Sequence, residues 1–510
     1  MVRLCLLIML VTIAGHTSSG YRILSIAVSP SRSHVIVQEA LVKELARRGH
    51  QVTMVSPFPS TKPIENYREI TVPISDWGKT TMAIFLKDQS RWAALANFPT
   101  TCKIFMDASN DTLNDPEVRR VISEEKFDLL ITGIMTDFLL GIGQLIGAPT
   151  VVVSPNAAMD MVNDMVGNPY PIATIPNLMM GTPSPMGFAN RFGNLIGWTL
   201  EHVFGWYIVS KSEHYYYSNF PRDQFPAYDA VRKNVSLVLI NQHFTKSTAR
   251  PYVQSMVEVG GLQIKPSPDP LPSDLQEWID GAEHGVIFFS MGTNLQSSSF
   301  PSDKLIVLLT TFGNLKQRIV WKWDSQTMPD KPPNVLLRRW LPQDDLLAHP
   351  NVRLFITHGG LGGVAEAQYH GVPLVGIPMF GDQQSNLEKA TKEGWAVVVE
   401  FADLSEDTLA RAVGEVLNNA SYTETAKKLS ELYRDRPMSA MDTAVFWTEY
   451  VIRHRGAKHM RYPGVDLNFF QRHLLDVWAV LGIGIFIVVK LTCLACRLCR
   501  RKTTPKIKVN

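Results

Sequence analysis

Short apolar runs and amphipathic stretches alternate along most of this chain. Residues 22–28, 51–55, 127–132 and 150–153 are apolar-rich runs of strand length, as suits strands buried on both faces. After the first run, residues 34–48 set Val37, Leu41 and Leu45 on one helical face, and Gly49 ends the helix. Residues 138–146 predict a further helix between the third and fourth runs. The second half repeats the scheme at 286–290, 319–323, 335–338, 352–356 and 372–377, with a helix over 365–370 stopped by Gly371. Strands alternating with helices predict parallel, doubly wound sheets. Two such sheets, one per half, face a cleft with the carboxyl ends of their strands, where ligands of open α/β sheets bind. A late helix over 445–453 is expected to pack back on the first domain. The proline-rich segment 265–272 is a stiff linker before the second sheet.

The alternation fails between residues 156 and 226, where Met, Pro, Trp, Phe and Tyr are dense. This stretch reads either as an apolar wall or lid for a ligand, or as a subdomain packed for its own core. The two ends also depart from the pattern. Residues 1–20 carry Arg3, an apolar run and then Ser18, Ser19 and Gly20, the order of a secretory signal peptide. Residues 474–496 are apolar over the length of a bilayer span. Arg497, Arg500, Arg501, Lys502, Lys506 and Lys508 follow at once, which predicts a cytoplasmic tail with everything before the span on the far side. Lys506 and Lys508 match a dilysine retrieval signal. The expectation is a single-pass type I protein of the endoplasmic reticulum membrane, with its catalytic domains lumenal.

Composition changes this picture little. The chain has 510 residues, 45% of them hydrophobic and 19% charged, with a formal net charge of +3. That balance, without a basic stripe interleaved with aromatics, argues against a nucleic-acid partner. Of 5 cysteines, Cys5 leaves with the signal peptide and Cys102 stands alone before the span, so no intrachain disulfide is expected there. Cys493, Cys496 and Cys499 sit at the membrane edge, either plain or palmitoylated. Asn110, Asn234 and Asn419 lie in glycosylation sequons.

The chemistry concentrates in residues 340–383. A strand runs into Thr357-His358-Gly359-Gly360, and a helix follows. Such a turn points free backbone N–H groups and the positive end of a helix dipole at one spot, which suits a diphosphate. Common phosphate loops use glycine or lysine there, so His358 is distinctive. Trp340, Gln343, Glu366, Asp382 and Gln383 at their spacings make the signal specific. No Asp-x-Asp pair occurs, so a metal-dependent transferase design lacks its ligand motif. No metal and no cofactor are expected.

These residues resemble the membrane-bound animal UDP-glycosyltransferases. The resemblance spans the signal peptide, SRSHVIVQEALVKELARRGHQVTMVSP, ARPYVQSMVEVGGL, VIFFSMGT, the 340–383 signature, the late span and the lysine tail. The signature is also similar to the donor box of plant glycosyltransferases. The implied fold is α/β: two Rossmann-like doubly wound domains facing a cleft, of the GT-B type, plus one C-terminal transmembrane helix. The implied organisation is a signal peptide at 1–20, an acceptor domain at 21–249 and a UDP-sugar domain at 250–455. A juxtamembrane segment at 456–473, the span at 474–496 and a tail at 497–510 complete it.

By position, Trp340 is expected to stack on uracil and Gln343 to touch the nucleoside. Glu366 would bind the ribose hydroxyls. His358, with N–H groups around Gly360 and Gly363, would hold the diphosphate. Ser290, Gly292 and Thr293 would line the same pocket, Arg250 would reach a phosphate, and Asp382 and Gln383 would bind the sugar. His34 matches the general base. The aspartate that usually supports it aligns with Gly133, so Asp137, a few residues on, is assigned that role; its other reading is an ordinary N-cap. The implied reaction is inverting transfer of glucose or glucuronic acid from a UDP-sugar to a hydroxyl of a small lipophilic acceptor. The alternative is a UDP-sugar-binding member with impaired catalysis. The bilayer is a partner, and the resemblance leaves homo- or hetero-oligomers open.

Overall fold

The computed structural model describes residues 20–29, 31–60, 63–73, 91–177, 185–246, 248–293, 300–325, 328, 330–379 and 381–502. Two sheets organise it. The first contains β1 (Arg22–Ile26), β2 (Gln51–Ser56), β3 (Tyr67–Thr71), β4 (Leu129–Thr132), β5 (Thr150–Ser154), β6 (Leu237–Ile240) and β7 (Met256–Glu258), in the order β3-β2-β1-β4-β5-β6-β7. The second contains β8 (Val286–Ser290), β9 (Arg318–Lys322), β10 (Val335–Arg338), β11 (Val352–Thr357), β12 (Leu374–Gly376) and β13 (Ala396–Val398), in the order β10-β9-β8-β11-β12-β13. Every strand pair is parallel. In each sheet the order reverses beside the first strand, between β1 and β4 and between β8 and β11. Doubly wound sheets open their ligand crevice at that reversal.

Helices cover both faces, so β4, β5, β6 and β8 are buried along their whole length. The helix Arg32–Arg47 buries Val35, Leu41, Val42 and Leu45. The helix Ala440–Arg453 returns to the first domain as expected: Ala444, Val445 and Val451 join Leu41 and Leu45 in one core. The division expected at 249/250 falls too early. β7 lies beyond it and completes the first sheet through β6.

Residues 156–226 divide between the two readings. The helix Phe188–Asn219 sends Ile208 and Tyr216 into the first domain's core with Phe138 and Val162. Its first half instead faces outward with apolar side chains. The segment Leu475–Leu498 is long and apolar enough to cross a membrane, with a mean hydropathy of 2.4, and none of it is buried. The expected signal peptide, apart from Gly20, and the dilysine lysines lie outside the described residues.

Candidate functional site

The site forms where β8 and β11 end side by side. Ser290 closes β8 and Thr357 closes β11, and the two pair in register. His358 follows, and Gly360 caps the helix Leu361–His370. The helix begins four residues earlier than the pattern predicts, so Gly362 and Gly363 lie in its first turn. Their N–H groups are among those that a helix leaves unpaired at its start. Two glycines close around the imidazole. A Cβ at Gly292, where φ is +82°, would lie 2.5 Å from the His358 ring, and one at Gly360 would lie 2.6 Å from it. Any side chain at either position would push the histidine out of the turn.

His358 bonds the Ser290 main chain, and burial with nearby Lys322 lowers its pKa to about 4. At neutral pH it is therefore an uncharged donor or acceptor. The Ser290 hydroxyl is buried and accepts from the Gly292 N–H at 3.2 Å. Thr293 is exposed, and the residues after it lie outside the described ones. Lys322, at the end of β9, donates to the Gly292 carbonyl at 2.8 Å and sits 5.1 Å over the Trp340 ring. Trp340 is 58% exposed, which leaves a broad aromatic face for a planar ligand.

Glu366 lies one turn into the helix, nearly buried. The Gln343 side chain donates to one of its oxygens and the Gln263 amide approaches the other at 3.5 Å. Burial, with Asp344 adding to it, raises its pKa to about 7. Asp382 accepts from Asn386 at 2.7 Å and from the Leu361 N–H, so its carboxylate faces the start of the same helix. Gln383 differs from the expectation. It is buried, and its side-chain oxygen accepts from the Met379 N–H at 2.8 Å, which commits that oxygen to holding the turn after β12.

The first domain reaches this turn through the loop after β6. Lys246 donates to the Leu361 carbonyl at 3.1 Å, and Lys389 donates back to the Thr245 carbonyl at 3.1 Å. Burial, then Lys389, lowers the Lys246 pKa to about 7. Since β1 and β6 run parallel in one sheet, the carboxyl end of β1 opens toward the same side. There stands His34, in the first turn of the helix Arg32–Arg47. Its ring lies 6.1 Å from that of Phe105, and burial lowers its pKa to about 4.

The expected His34–Asp137 pair does not form. Asp137 is buried and bonds the Arg232 guanidinium at 2.9 Å, while the His34 ring hydrogen-bonds none of the described residues. The residue one turn after His34, Gln38, donates to the Ser25 hydroxyl at 2.9 Å and to the carbonyls of Ile26 and Ile131. A Cβ at Gly133 would point at its side-chain oxygen, 3.7 Å away. Arg250 also departs from expectation: it donates to the Ala158 carbonyl at 3.3 Å, in the first domain, and contacts none of the described residues of the His358 turn. Of the sequons, Asn234 and Asn419 are exposed. Asn110 lies within the helix Arg91–Leu113, and the hydroxyl of its Thr112 is buried and donates to Ala108.

Sequence reasoning missed Lys322, Gln263, Lys246 and Arg232. Lys322 alone carried a signal, as a cation at the carboxyl end of a strand. The others act through tertiary contacts that no local pattern encodes.

Known proteins agree with this architecture. Two solved structures match its fold: the glycotransferase of kitacinnamycin, at a TM-score of 0.57 and 18% identity over 86% of this chain and 99% of that one, and a UDP-glucosyltransferase from Polygonum tinctorium, at 0.54 and 15% over 86% and 100%. UDP-glucosyltransferase 2 of Dactylopius coccus is 37% identical over 484 residues, 92% of each chain. UDP-glucuronosyltransferase 2C1 of Oryctolagus cuniculus is 30% identical, over 91% of this chain and 93% of that one. The family model described as UDP-glucoronosyl and UDP-glucosyl transferase matches residues 22–509. With two parallel doubly wound sheets and a histidine-bearing turn after β11, the chain belongs to the family of UDP-glucuronosyl- and UDP-glucosyltransferases, enzymes that transfer a sugar from a UDP-sugar.

Proposed function

We propose that the chain transfers glucose or glucuronic acid from its UDP-sugar to a hydroxyl of a small lipophilic acceptor, with inversion, as in detoxification. The contact between Lys246 and the Leu361 carbonyl carries this reading, because it sets the carboxyl end of the first sheet against the His358 turn. In this reading Trp340 stacks on the uracil, Gln343 and Glu366 take the nucleoside, and Ser290, His358 and the N–H groups at Gly360 and Gly363 hold the diphosphate. Asp382 takes sugar hydroxyls. His34 removes the acceptor proton as the oxygen attacks the anomeric carbon, and UDP leaves from the opposite face, its charge held by the helix start. The protein resides in the endoplasmic reticulum with its catalytic domains lumenal, glycosylated at Asn234 and Asn419.

A second reading, donor binding without transfer, draws on the lack of a carboxylate partner for His34 among the described residues. One assay separates the two: microsomes carrying the chain, given a panel of labelled UDP-sugars with and without phenolic acceptors. The main reading expects an acceptor-dependent glycoside from UDP-glucose or UDP-glucuronate. Donor binding with no glycoside from any pair supports the second.

Glu366 gives a prediction on the donor alone. Replacing it with alanine removes at least one charge-assisted hydrogen bond of about 1.5–3 kcal/mol, so UDP binding should weaken by at least about 10- to 100-fold. The ribose hydroxyls donate to an ionised carboxylate, and the free carboxyl titrates at about 7. UDP affinity should therefore rise with pH through neutrality in the wild type and stay level in Glu366→Gln. Calorimetric titration at several pH values checks both; an unchanged affinity in Glu366→Ala removes the residue from the donor site.

A further inference from the structure

The first half of the helix Phe188–Asn219 is amphipathic in reverse. Its buried positions are Asn194, Gly197 and Gly205, with Trp198, Glu201 and Phe204 half-buried beside them. Asn194 bonds the carbonyls of Ile172 and Ile175 at 2.7 and 2.8 Å, and Glu201 accepts from the Asp160 N–H at 2.8 Å. Its outward positions are apolar. Phe188, Phe192, Ile196, Leu200, Val203 and Trp206 recur every three or four residues, and even the least open of them, Leu200, is 41% exposed. Among the exposed positions of 188–206 only Arg191 and His202 are titratable. A polar solvent does not favour such a face, and a continuous apolar patch marks an interaction surface.

The position of this stripe identifies its occupant. The helix packs on Asp160–Val166, which in turn holds the chain that leads into the membrane span. A Cβ at Gly167 would lie 2.7 Å from the Val465 main chain, and Arg472 approaches Asp164 at 3.9 Å. Phe469 and Phe470, both exposed, follow Val465, and the span opens within a few residues. The stripe's helix and the span entry thus pack against one common helix, Asp160–Val166, and its C-terminal end.

We propose that the outward face of residues 188–206 lies in the surface of the phospholipid bilayer, on the side from which the span enters. Aromatic side chains at both places fit the headgroup boundary, where their rings are favoured. A helix in this plane sinks its apolar face about 5–10 Å toward the acyl chains. The glycosyltransferase domains then rest against the membrane, and the first domain's wall contacts the phase that dissolves lipophilic molecules.

The proposal rests on the reading of Leu475–Leu498 as a span, and one experiment separates the two. The full chain is reconstituted in phosphatidylcholine vesicles containing a phosphatidylcholine with an acyl-chain diazirine, photolysed, and mapped by peptide mass. Label is expected in both 475–498 and 188–206. Label in the span alone overturns the membrane-surface assignment; label in neither overturns the span reading and the proposal with it. In Phe192→Ser/Trp206→Ser, label on the helix should fall to background while label in the span, UDP binding and the melting temperature stay unchanged. Chain-to-chain cross-links through the stripe without lipid label assign the face to a second copy and overturn the proposal.

Discussion

His34→Ala is expected to lower turnover by about 100- to 10,000-fold, the usual contribution of a positioned general base. The KM for the UDP-sugar should hardly change, because the residues proposed to hold the donor belong to the other domain. The pH profile is the sharper test. A base acts in its deprotonated form, so the rate falls as pH drops below its pKa. Burial lowers the His34 pKa to about 4. At saturating UDP-sugar, where the titration of Glu366 does not limit the rate, the wild-type rate should therefore stay level from pH 8 down to about 5 and fall only below that. An imidazole of ordinary pKa would lose activity below about 6.5 instead. The same depression would make His34 a weak base, and none of the described carboxylates bonds its ring to steady the imidazolium that forms. Slow turnover at saturating substrate is the consequence. A loss of less than tenfold in His34→Ala, measured by product formation, would remove the residue from the base role.

The sequence revealed the strands best where both faces are covered. β1 (RILSI), β5 (TVVVS) and β8 (VIFFS) are apolar-rich and lie inside their sheets, flanked by strands on both sides. β3 lies at an edge, and only Ile70 of its YREIT is buried, so it carries no such run. β7 and β13 are three residues long, too short for periodicity to register. The helix Phe188–Asn219 was illegible for a physical reason. Its apolar residues face outward over the first half and inward over the second, so no single stripe marks its face. The candidate donor side was the most legible because most of its proposed groups lie in one continuous stretch, 340–383, with their spacing set largely by a single strand-turn-helix unit. Even there Gln383 turned inward to the Met379 N–H, a choice made by the turn after β12. On the acceptor side, His34 was placed by the loop after β1, whereas the fate of Asp137 depended on Arg232, nearly a hundred residues away in sequence.

The ion pair between Asp137 and Arg232 leads to the other large effect. Both side chains are almost fully buried, and Arg232 also donates to the Met161 carbonyl. Burial works against the Arg232 charge, but the Asp137 carboxylate more than offsets it and raises its pKa. Asp137→Ala leaves that charge in the core without a counter-ion, which should destabilise the first domain by about 3–5 kcal/mol. Arg232→Ala should cost about as much, by stranding the carboxylate. Replacing both, as Asp137→Leu with Arg232→Met, removes the charges together and should recover most of the loss, since apolar pairs often match buried ion pairs in stability. Unfolding of a chain this large is often irreversible, so the half-life of UDP binding at a fixed elevated temperature is the suitable readout. If Asp137 instead supported His34, Asp137→Asn would lose turnover at unchanged half-life, and the double replacement would restore nothing. The two roles thus separate on stability and turnover measured in the same variants: a pillar of the fold moves both together, and a partner of the base moves turnover alone.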